Sequence, residues 1–194
     1  MSERRDDDVT RLALAAKAGD HAAATALIAA TAPDLRRFLA HLTDPGDLDD
    51  VCQETYLRAM GALARFDARA SARTWLLAIA RRTAADQVRL AMRRPRQSPA
   101  PDWTKATHGR DAVTFFDEGV VLRRLLVELP PQFREAFVAT QVLGLSYAEA
   151  AEICDCPVGT IRSRVARARD VLIDALAAAD GDEPGDERDD RAVR

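Results

Sequence analysis

Residues 145–172 read LSYAEAAEICDCPVGTIRSRVARARDVL and predict two helices joined by a tight turn. Ser146 and Glu149 have the spacing of a capping box, in which each side chain binds the free backbone N–H of the other residue, so a helix is expected to begin just after the serine. Pro157 cannot continue that helix, because it lacks an amide hydrogen and its ring clashes with the preceding turn. Asp155 lies in the connection and tolerates the left-handed conformation that such a turn requires.

The second helix, expected from about Val158, has an apolar face and a basic face. Its apolar side chains recur at i, i+4, i+7 and i+11, as Ile161, Val165, Ala168 and Leu172. Its basic side chains are Arg162, Arg164, Arg167 and Arg169. The pattern predicts a helix-turn-helix whose second helix enters the DNA major groove. An ordinary helical hairpin with a solvated arginine face is the alternative. The uniform charge and the close turn favour DNA binding.

Composition favours helices, and charge is unevenly distributed along the chain. The 194 residues are 47% apolar but only 5% aromatic, so the core is expected to consist of alanine, leucine and valine. The net charge of −3 hides strong segregation. Residues 44–54 hold five acids and no base, 81–96 hold six arginines and one acid, and 180–194 hold seven acids and three arginines. Such segregation indicates surfaces with different partners.

The chain is predicted to be all-α, with two small helical bundles joined by a flexible linker. The first bundle is expected over 9–95, the proline-containing linker over 96–118 and the helix-turn-helix bundle over 119–179. Residues 180–194 are expected to be a disordered acidic tail, and the first eight residues are also expected to be disordered. A helix should end at Gly19, and Asp20 should cap the next one, which is expected to run to about Ala30 before Pro33 opens another.

Two further helices in the first bundle carry opposite charges. A helix is predicted over about 47–63, with a mostly acidic face on its outer side. From the pattern alone, a solvated surface and a docking surface for a protein are equally good interpretations of this face. A loop over 64–72 precedes a long helix from Arg73 to about Arg94, whose arginines suit phosphate. We expect the two bundles to pack on each other in the free protein, with the acidic segment 44–54 facing the arginine helices.

The sequence gives no support for catalysis, metal binding or membrane insertion. Cys154 and Cys156 lie two apart without a nearby histidine, so a zinc site is not expected, and no cofactor is implied. Buried small hydrophobes are the better interpretation of these cysteines than a thiol switch at the turn. No glycine-rich phosphate loop is present, and no run is long enough to span a bilayer. A reduced, cytoplasmic protein is expected.

Three motifs in combination resemble one family. The stretches DLDDVCQETYLRAM (47–60), TWLLAIARRTAADQVR (74–89) and LSYAEAAEICDCPVGTIRSRVARAR (145–169) are similar to those of extracytoplasmic-function sigma factors, compact initiation subunits of the sigma-70 family. The resemblance covers about residues 9–178. A helix-turn-helix alone fits many regulators, whereas the acidic helix followed by the tryptophan helix does not.

The resemblance implies roles for particular residues of this chain. It implies that core RNA polymerase is bound at the β′ clamp helices by Asp49, Asp50, Gln53, Glu54 and Arg58, and that the β flap also takes part. It implies contacts with the −10 promoter strand by Phe66, Arg73, Thr74, Trp75, Arg81, Arg82 and Arg89. It implies −35 recognition by Thr160, Arg162, Ser163, Arg164 and Arg167. The family usually works with an anti-sigma partner.

Two positions depart from the family pattern, and two other functions are compatible with parts of the sequence. Arg82 stands where many relatives have asparagine, and Ala166 replaces a larger side chain in the reading helix. The main alternative is a helix-turn-helix regulator that binds duplex DNA with no role on the polymerase. A helical scaffold without DNA binding is the third interpretation. An acidic helix beside a basic strand track favours the sigma factor, because a duplex-only regulator needs only one of these surfaces.

Overall fold

The computed structural model describes residues 2–93 and 118–180, and within them it contains helices, turns and no strand. The α-helices are α1 (Ser2–Lys17), α2 (His21–Leu39), α3 (Leu48–Ala62), α4 (Ala72–Arg93), α5 (Glu118–Glu128), α6 (Pro131–Phe137), α7 (Tyr147–Cys154) and α8 (Val158–Asp180). A 3₁₀ turn (Leu63–Arg65) follows α3, and a π-helical turn (Val138–Val142) follows α6. The all-α prediction is confirmed. The linker prediction and the acidic-tail prediction fall almost wholly outside the described residues.

The start of the chain is more helical than expected. Helix α1 begins at Ser2, so the expectation of disorder before residue 9 was wrong. Within it, Asp8 forms an ion pair with Arg11. The helix ends as predicted, with Gly19 at a φ of +99°. Asp20 then caps α2 by accepting a hydrogen bond from the Ala23 amide at 3.0 Å, as expected.

Pro33 does not open a new helix; it lies inside α2, which runs without a break. The prediction of two separate helices was therefore wrong. The proline is exposed, while Leu27, Leu35 and Phe38 on either side of it are buried as one face. Proline removes one backbone hydrogen bond and costs about 3 kcal/mol in a helix interior. Burying this continuous apolar face offsets that cost, because a fully buried leucine or phenylalanine contributes about 1.5–3 kcal/mol.

The helix-turn-helix has the predicted local geometry. The Ser146 amide donates to the Glu149 carboxylate at 2.8 Å, and the Glu149 amide donates to the Ser146 hydroxyl at 3.2 Å, which completes the capping box. Asp155 ends α7 in the left-handed region, with φ +52° and ψ +54°. The apolar face of α8, formed by Ile161, Val165, Ala168 and Leu172, is buried. This burial directs the other faces of α8 toward solvent.

The helix before this motif ends early. From the sequence, Pro131 is expected to open a helix that runs to Gly144, but α6 ends at Phe137 and a wider turn follows. In that turn the Leu143 amide donates to the Val138 carbonyl, five residues back, at 3.0 Å. Gly144, at a φ of +67°, then reverses the chain. Leu143 and Leu145 are both buried on either side of it, which a regular α-helix through the same residues would prevent.

The two bundles pack on each other through α4 and α7, as expected. Leu77 and Ala80 of α4 and Ile153 of α7 belong to one buried apolar cluster that extends through both bundles. The predicted partner surfaces were wrong, however, because Asp47, Asp49 and the other early acids of α3 stay exposed. Buried apolar side chains, with few polar contacts at the edge, hold the two bundles together, and we call this contact between the bundles the seam. The exposed carboxylates of α3 stay hydrated. Among the residues described, no helix has the length and apolar content needed to cross a membrane.

Candidate nucleic-acid and protein interfaces

The acidic side of α3 is open to solvent. Its outer residues are exposed (Asp49, Asp50, Gln53) or partly buried (Glu54). The residues on its opposite side are buried (Val51, Thr55, Ala59). Asp49 forms an ion pair with Arg36 at 2.5 Å, but both side chains are largely exposed, so the pair adds little stability. The acidic residues therefore form a surface that a partner can reach.

This acidic side borders a groove between α3 and α4. The groove has a volume of about 440 Å³ and will be called the α3/α4 groove. Its lining residues are Asp50, Gln53, Glu54, Leu57, Arg58, Asp86, Gln87 and Leu90. Arg58 crosses it, with Nη1 at 2.7 Å from Asp86 and Nε at 2.8 Å from Glu54. Hydrogen bonds to Asp86 and then to Glu54 raise the pKa of the Arg58 guanidinium.

Sequence reasoning missed two leucines of this groove. Leu57 is 62% exposed and Leu90 is 48% exposed, although both are large apolar side chains. The signal for Leu57 was available, since it lies at i+7 from Asp50 and i+4 from Gln53, on the acidic face. Leu90 gave no such signal, because only the folded chain brings α4 beside α3. Exposed leucines among carboxylates favour a protein partner over a merely solvated face.

Several residues of the predicted −10 set are part of the fold of the first bundle. Phe66 is 2% exposed and packs on Trp75, with ring centroids 5.0 Å apart. Its carbonyl accepts a hydrogen bond from Lys17 Nζ at 2.7 Å. Thr74 is buried, and its amide binds the Ser71 hydroxyl at 3.1 Å, which caps the start of α4. These contacts fix the loop that joins α3 to α4.

Arg73 and Arg81 of the same set make contacts at the seam between the bundles. Arg73 is buried, donates to Asp34 at 2.7 Å and reaches the Leu143 carbonyl of the second bundle at 3.2 Å. Arg81 is 25% exposed and forms an ion pair with Glu135 of α6 at 2.7 Å. By contrast, Arg82 and Arg89 are exposed. The predicted −10 set is thus divided between the interior, the seam and the surface.

Reversing the charge at Glu135 should loosen the seam. In Glu135→Lys, an ammonium faces the Arg81 guanidinium at a partly buried site, where like charges repel more strongly than in water. We expect small-angle scattering at low salt to give a larger radius of gyration than for the wild type. Glu128→Lys, at an exposed position of α5, is the matched control and should leave it unchanged. Equal radii for all three proteins would mean that apolar packing alone closes the seam.

The predicted −35 set lies on the solvent side of α8. Arg162, Ser163 and Arg167 are exposed, and Thr160 and Arg164 are partly buried. Arg164 Nη1 lies 3.6 Å from the Cys156 sulfur, and Arg169 donates to the Gln141 side chain at 2.8 Å. We call the side chains of Arg162, Arg164, Arg167 and Arg169 together the arginine face, in which Arg162 with Arg169 and Arg164 with Arg167 lie at the two edges of the solvent side of α8. Within the described ranges, none of the four forms an ion pair with a carboxylate.

The cysteines differ in burial, and none of the three is in a disulfide. Burial raises the pKa of the Cys154 thiol to about 12, with a smaller contribution from nearby Glu135, whereas Cys156 is only partly buried. In residues 2–93 and 118–180, no cluster of three or more histidine, cysteine or acidic side chains has the geometry of a metal site. Cys154 therefore has the environment of a buried apolar residue, as the sequence suggested.

This difference predicts unequal alkylation by iodoacetamide. The thiolate is the reactive form, so a buried thiol with a raised pKa reacts slowly. At pH 8 we expect the protein with Cys154→Ala, which keeps Cys156, to be modified at its turn at least about tenfold faster than the protein with Cys156→Ala. Mass spectrometry of the peptide that contains the turn measures both rates. Equal rates would show that Cys154 is accessible in solution.

Comparisons with known proteins match both bundles of the chain. The family model described as "Sigma-70 region 2" matches residues 27–94, and that described as "Sigma-70, region 4" matches residues 120–172. The ECF RNA polymerase sigma factor SigC of Mycobacterium tuberculosis is 51% identical over 168 residues, covering 87% of this chain and 91% of the relative. The ECF RNA polymerase sigma-E factor of Escherichia coli K12 is 32% identical over 184 residues, covering 89% and 95%.

Solved structures show the same fold. CnrH, solved in complex with the cytosolic domain of CnrY, has a TM-score of 0.68 at 26% identity and covers 88% of this chain and 98% of its own. The sigma factor RpoE of Bartonella quintana, solved with the anti-sigma factor NepR, has a TM-score of 0.63 at 28% identity and covers 77% and 94%. The region 2 match includes α3 and α4, which disfavours a regulator without a role on the polymerase. The chain belongs to the ECF RNA polymerase sigma factors, which are not enzymes themselves but bind core RNA polymerase and direct transcription from specific promoters.

Proposed function

We propose that the α3/α4 groove binds the β′ clamp helices of core RNA polymerase while the arginine face of α8 reads the −35 element. The observation that carries this proposal is that both surfaces are exposed at once and have opposite charge. A polymerase and a promoter can therefore occupy the chain together. One surface alone would serve a simple DNA-binding regulator.

Docking at the α3/α4 groove is supported by its combination of charge and apolar area. Asp50 and Gln53 supply polar contacts at the rim, and Leu57 with Leu90 supplies the apolar area that a stable protein interface needs. Arg58 bridges Glu54 and Asp86 across the groove, and the buried packing of α3 against α4 holds the two helices in place. A rigid groove of this kind loses little entropy when a partner binds.

Recognition of the −35 element is supported by the orientation of α8. Because Ile161 and Val165 are buried, Arg162 and Arg167 project away from the core within the first three turns of the helix. Recognition helices contact base edges mainly with their N-terminal residues. Arginine is the most frequent partner of guanine there, through two hydrogen bonds to O6 and N7. Ser163 and Thr160 can add contacts to bases or phosphates.

At the −10 element we propose that the exposed arginines of α4, Arg82 and Arg89, contact phosphates of the opened strand. Phe66, Thr74 and Trp75 support the loop that lies beside this strand. Arg73 and Arg81 contact the second bundle in the free protein. Separation of α4 from the second bundle frees Arg81 for DNA, whereas Arg73 loses only its contact with Leu143 and keeps its ion pair with Asp34 inside the first bundle. Polymerase binding would require this separation, because the two promoter elements are held apart.

Further partners follow from the family. We propose that the second bundle also contacts the β flap, and that an anti-sigma protein regulates the chain, as in the solved complex of RpoE with NepR. A factor that acts on core polymerase and promoter DNA works in the cytoplasm. The experiment that tests the proposal mixes the purified chain with sigma-free core polymerase, first for comigration and then for transcription over a fragmented genomic template. Comigration with transcripts that share an upstream motif is expected, whereas failure to associate with core polymerase would refute the docking assignment.

A further inference from the structure

The arginine face of α8 lacks compensating negative charge in the part of the chain that the structure describes. Arg162 and Arg167 are exposed, Arg164 contacts a sulfur, and Arg169 contacts an amide. Asp170 and Asp174, which follow the arginines in α8, form no ion pair with them. Four guanidinium groups thus lie within about two turns of helix without a neutralising partner.

Arginines elsewhere on the surface are often paired. Arg36 meets Asp49, Arg58 meets Glu54 and Asp86, and Arg89 also meets Asp86. The arginine face is therefore the region where the described chain leaves the most positive charge uncompensated on one short segment. In a helix, adjacent like charges repel, so an anionic ligand stabilises this segment.

The segment that follows α8 has the complementary charge. Residues 181–194 read GDEPGDERDDRAVR, with six acids against three arginines and hence a net charge of −3. They lie outside the described residues and begin directly after Asp180, the last residue of α8. Gly181, Pro184 and Gly185 are residues that permit a reversal of chain direction. The acids occur as three pairs: Asp182 with Glu183, Asp186 with Glu187, and Asp189 with Asp190.

The segment is long enough to reach the whole arginine face. Along α8, at about 1.5 Å per residue, Arg169 lies roughly 17 Å and Arg162 roughly 27 Å from Asp180. An extended chain covers about 3.3 Å per residue, so Asp186 reaches about 20 Å and Asp189 about 30 Å from the same point. A segment that turns back along α8 therefore brings its second acid pair level with Arg169 and its third level with Arg162.

We propose that residues 182–190 bind the arginine face of α8 in the absence of DNA and compete with promoter phosphates for it. Covalent attachment to α8 makes this competition effective, because a tethered segment has an effective concentration in the millimolar range. Its carboxylates occupy the arginines in place of DNA phosphates, which lowers the affinity for non-specific DNA. DNA sites that also offer base contacts to α8 still displace the segment. This inference rests on the proposed DNA-reading role of α8.

Photo-crosslinking in the full chain tests the contact itself. A photoreactive residue at position 192, which is an alanine in this chain, keeps every acid in place. At low salt, crosslinks to residues 158–169 are expected by mass spectrometry, and excess duplex DNA should remove them. About 0.5 M salt should also remove them, because the screening length falls to a few ångströms. Crosslinks that fall elsewhere, or that DNA does not displace, would overturn the proposal.

Binding to a 30-base-pair duplex tests the competition. We compare the wild type with a neutral segment, in which the six acids become asparagine or glutamine, and with a scrambled segment of unchanged composition. The neutral segment should tighten DNA binding about five- to tenfold at low salt. It should also steepen the slope of log K against the logarithm of the salt concentration, by about 0.9 for each phosphate contact restored. The scrambled segment should behave as the wild type. Equal affinities for all three chains would overturn the competition. If none binds DNA, the proposed role of α8 fails, while the crosslinks still decide where the segment lies.

Discussion

Asp50→Arg is expected to weaken binding to core polymerase at least tenfold. Asp50 is exposed, lines the α3/α4 groove and takes part in no ion pair of the described chain, so its replacement disturbs no internal contact. The reversed charge turns attraction for a basic partner surface into repulsion, and each factor of ten corresponds to about 1.4 kcal/mol. Fluorescence anisotropy of the labelled chain, titrated with sigma-free core polymerase, measures the dissociation constant.

The control for this prediction is Asp7→Arg on α1. Asp7 is also exposed, and the substitution changes net charge by the same amount. We expect wild-type affinity for core polymerase from the control, and wild-type binding of duplex DNA from both variants, because α8 is unchanged. Undiminished polymerase binding by Asp50→Arg would refute the assignment of the α3/α4 groove. Equal loss in both variants would mean that overall charge, and not this groove, decides the affinity.

The local features of the helix-turn-helix were predictable from sequence because each depends on a few neighbouring residues. The capping box, the left-handed Asp155 and the buried face of α8 follow from chemistry within one or two helical turns. Pro33 shows the limit of such reasoning. Its local preference is to begin a helix, yet the burial of α2 residues on both sides keeps the helix intact. Tertiary packing outweighs propensity there.

The residues at the seam were not predictable, because they depend on contacts across a long stretch of chain. Arg73 and Arg81 have the spacing of a phosphate-binding track, and nothing near them in sequence indicates that they contact Leu143 and Glu135. Leu90 was missed for the same reason. Local pattern correctly predicted the acidic face of α3, but not the apolar groove beside it, which needs two helices.

Arg162→Ala with Arg167→Ala is expected to reduce transcription from a cognate promoter by one to two orders of magnitude. Each arginine that holds a guanine through two hydrogen bonds contributes about 1–3 kcal/mol of discrimination. Both side chains are exposed and pair with no carboxylate of the described chain, and alanine favours the helix, so α8 should remain folded. Thermal unfolding at or above the wild-type midpoint would confirm that. In vitro transcription from a supercoiled template then measures the effect on function.

The two arginines need not have the same role, and the single variants separate the possibilities. Loss of a base contact relaxes preference at one promoter position, whereas loss of a phosphate contact weakens binding to all sequences alike and lowers the salt slope by about 0.9. Arg11→Ala, exposed on α1, removes one arginine far from α8 in sequence and should leave transcription unchanged. Wild-type transcription by the double variant would refute α8 as the reading helix, because the two arginines that remain, Arg164 and Arg169, already contact Cys156 and Gln141.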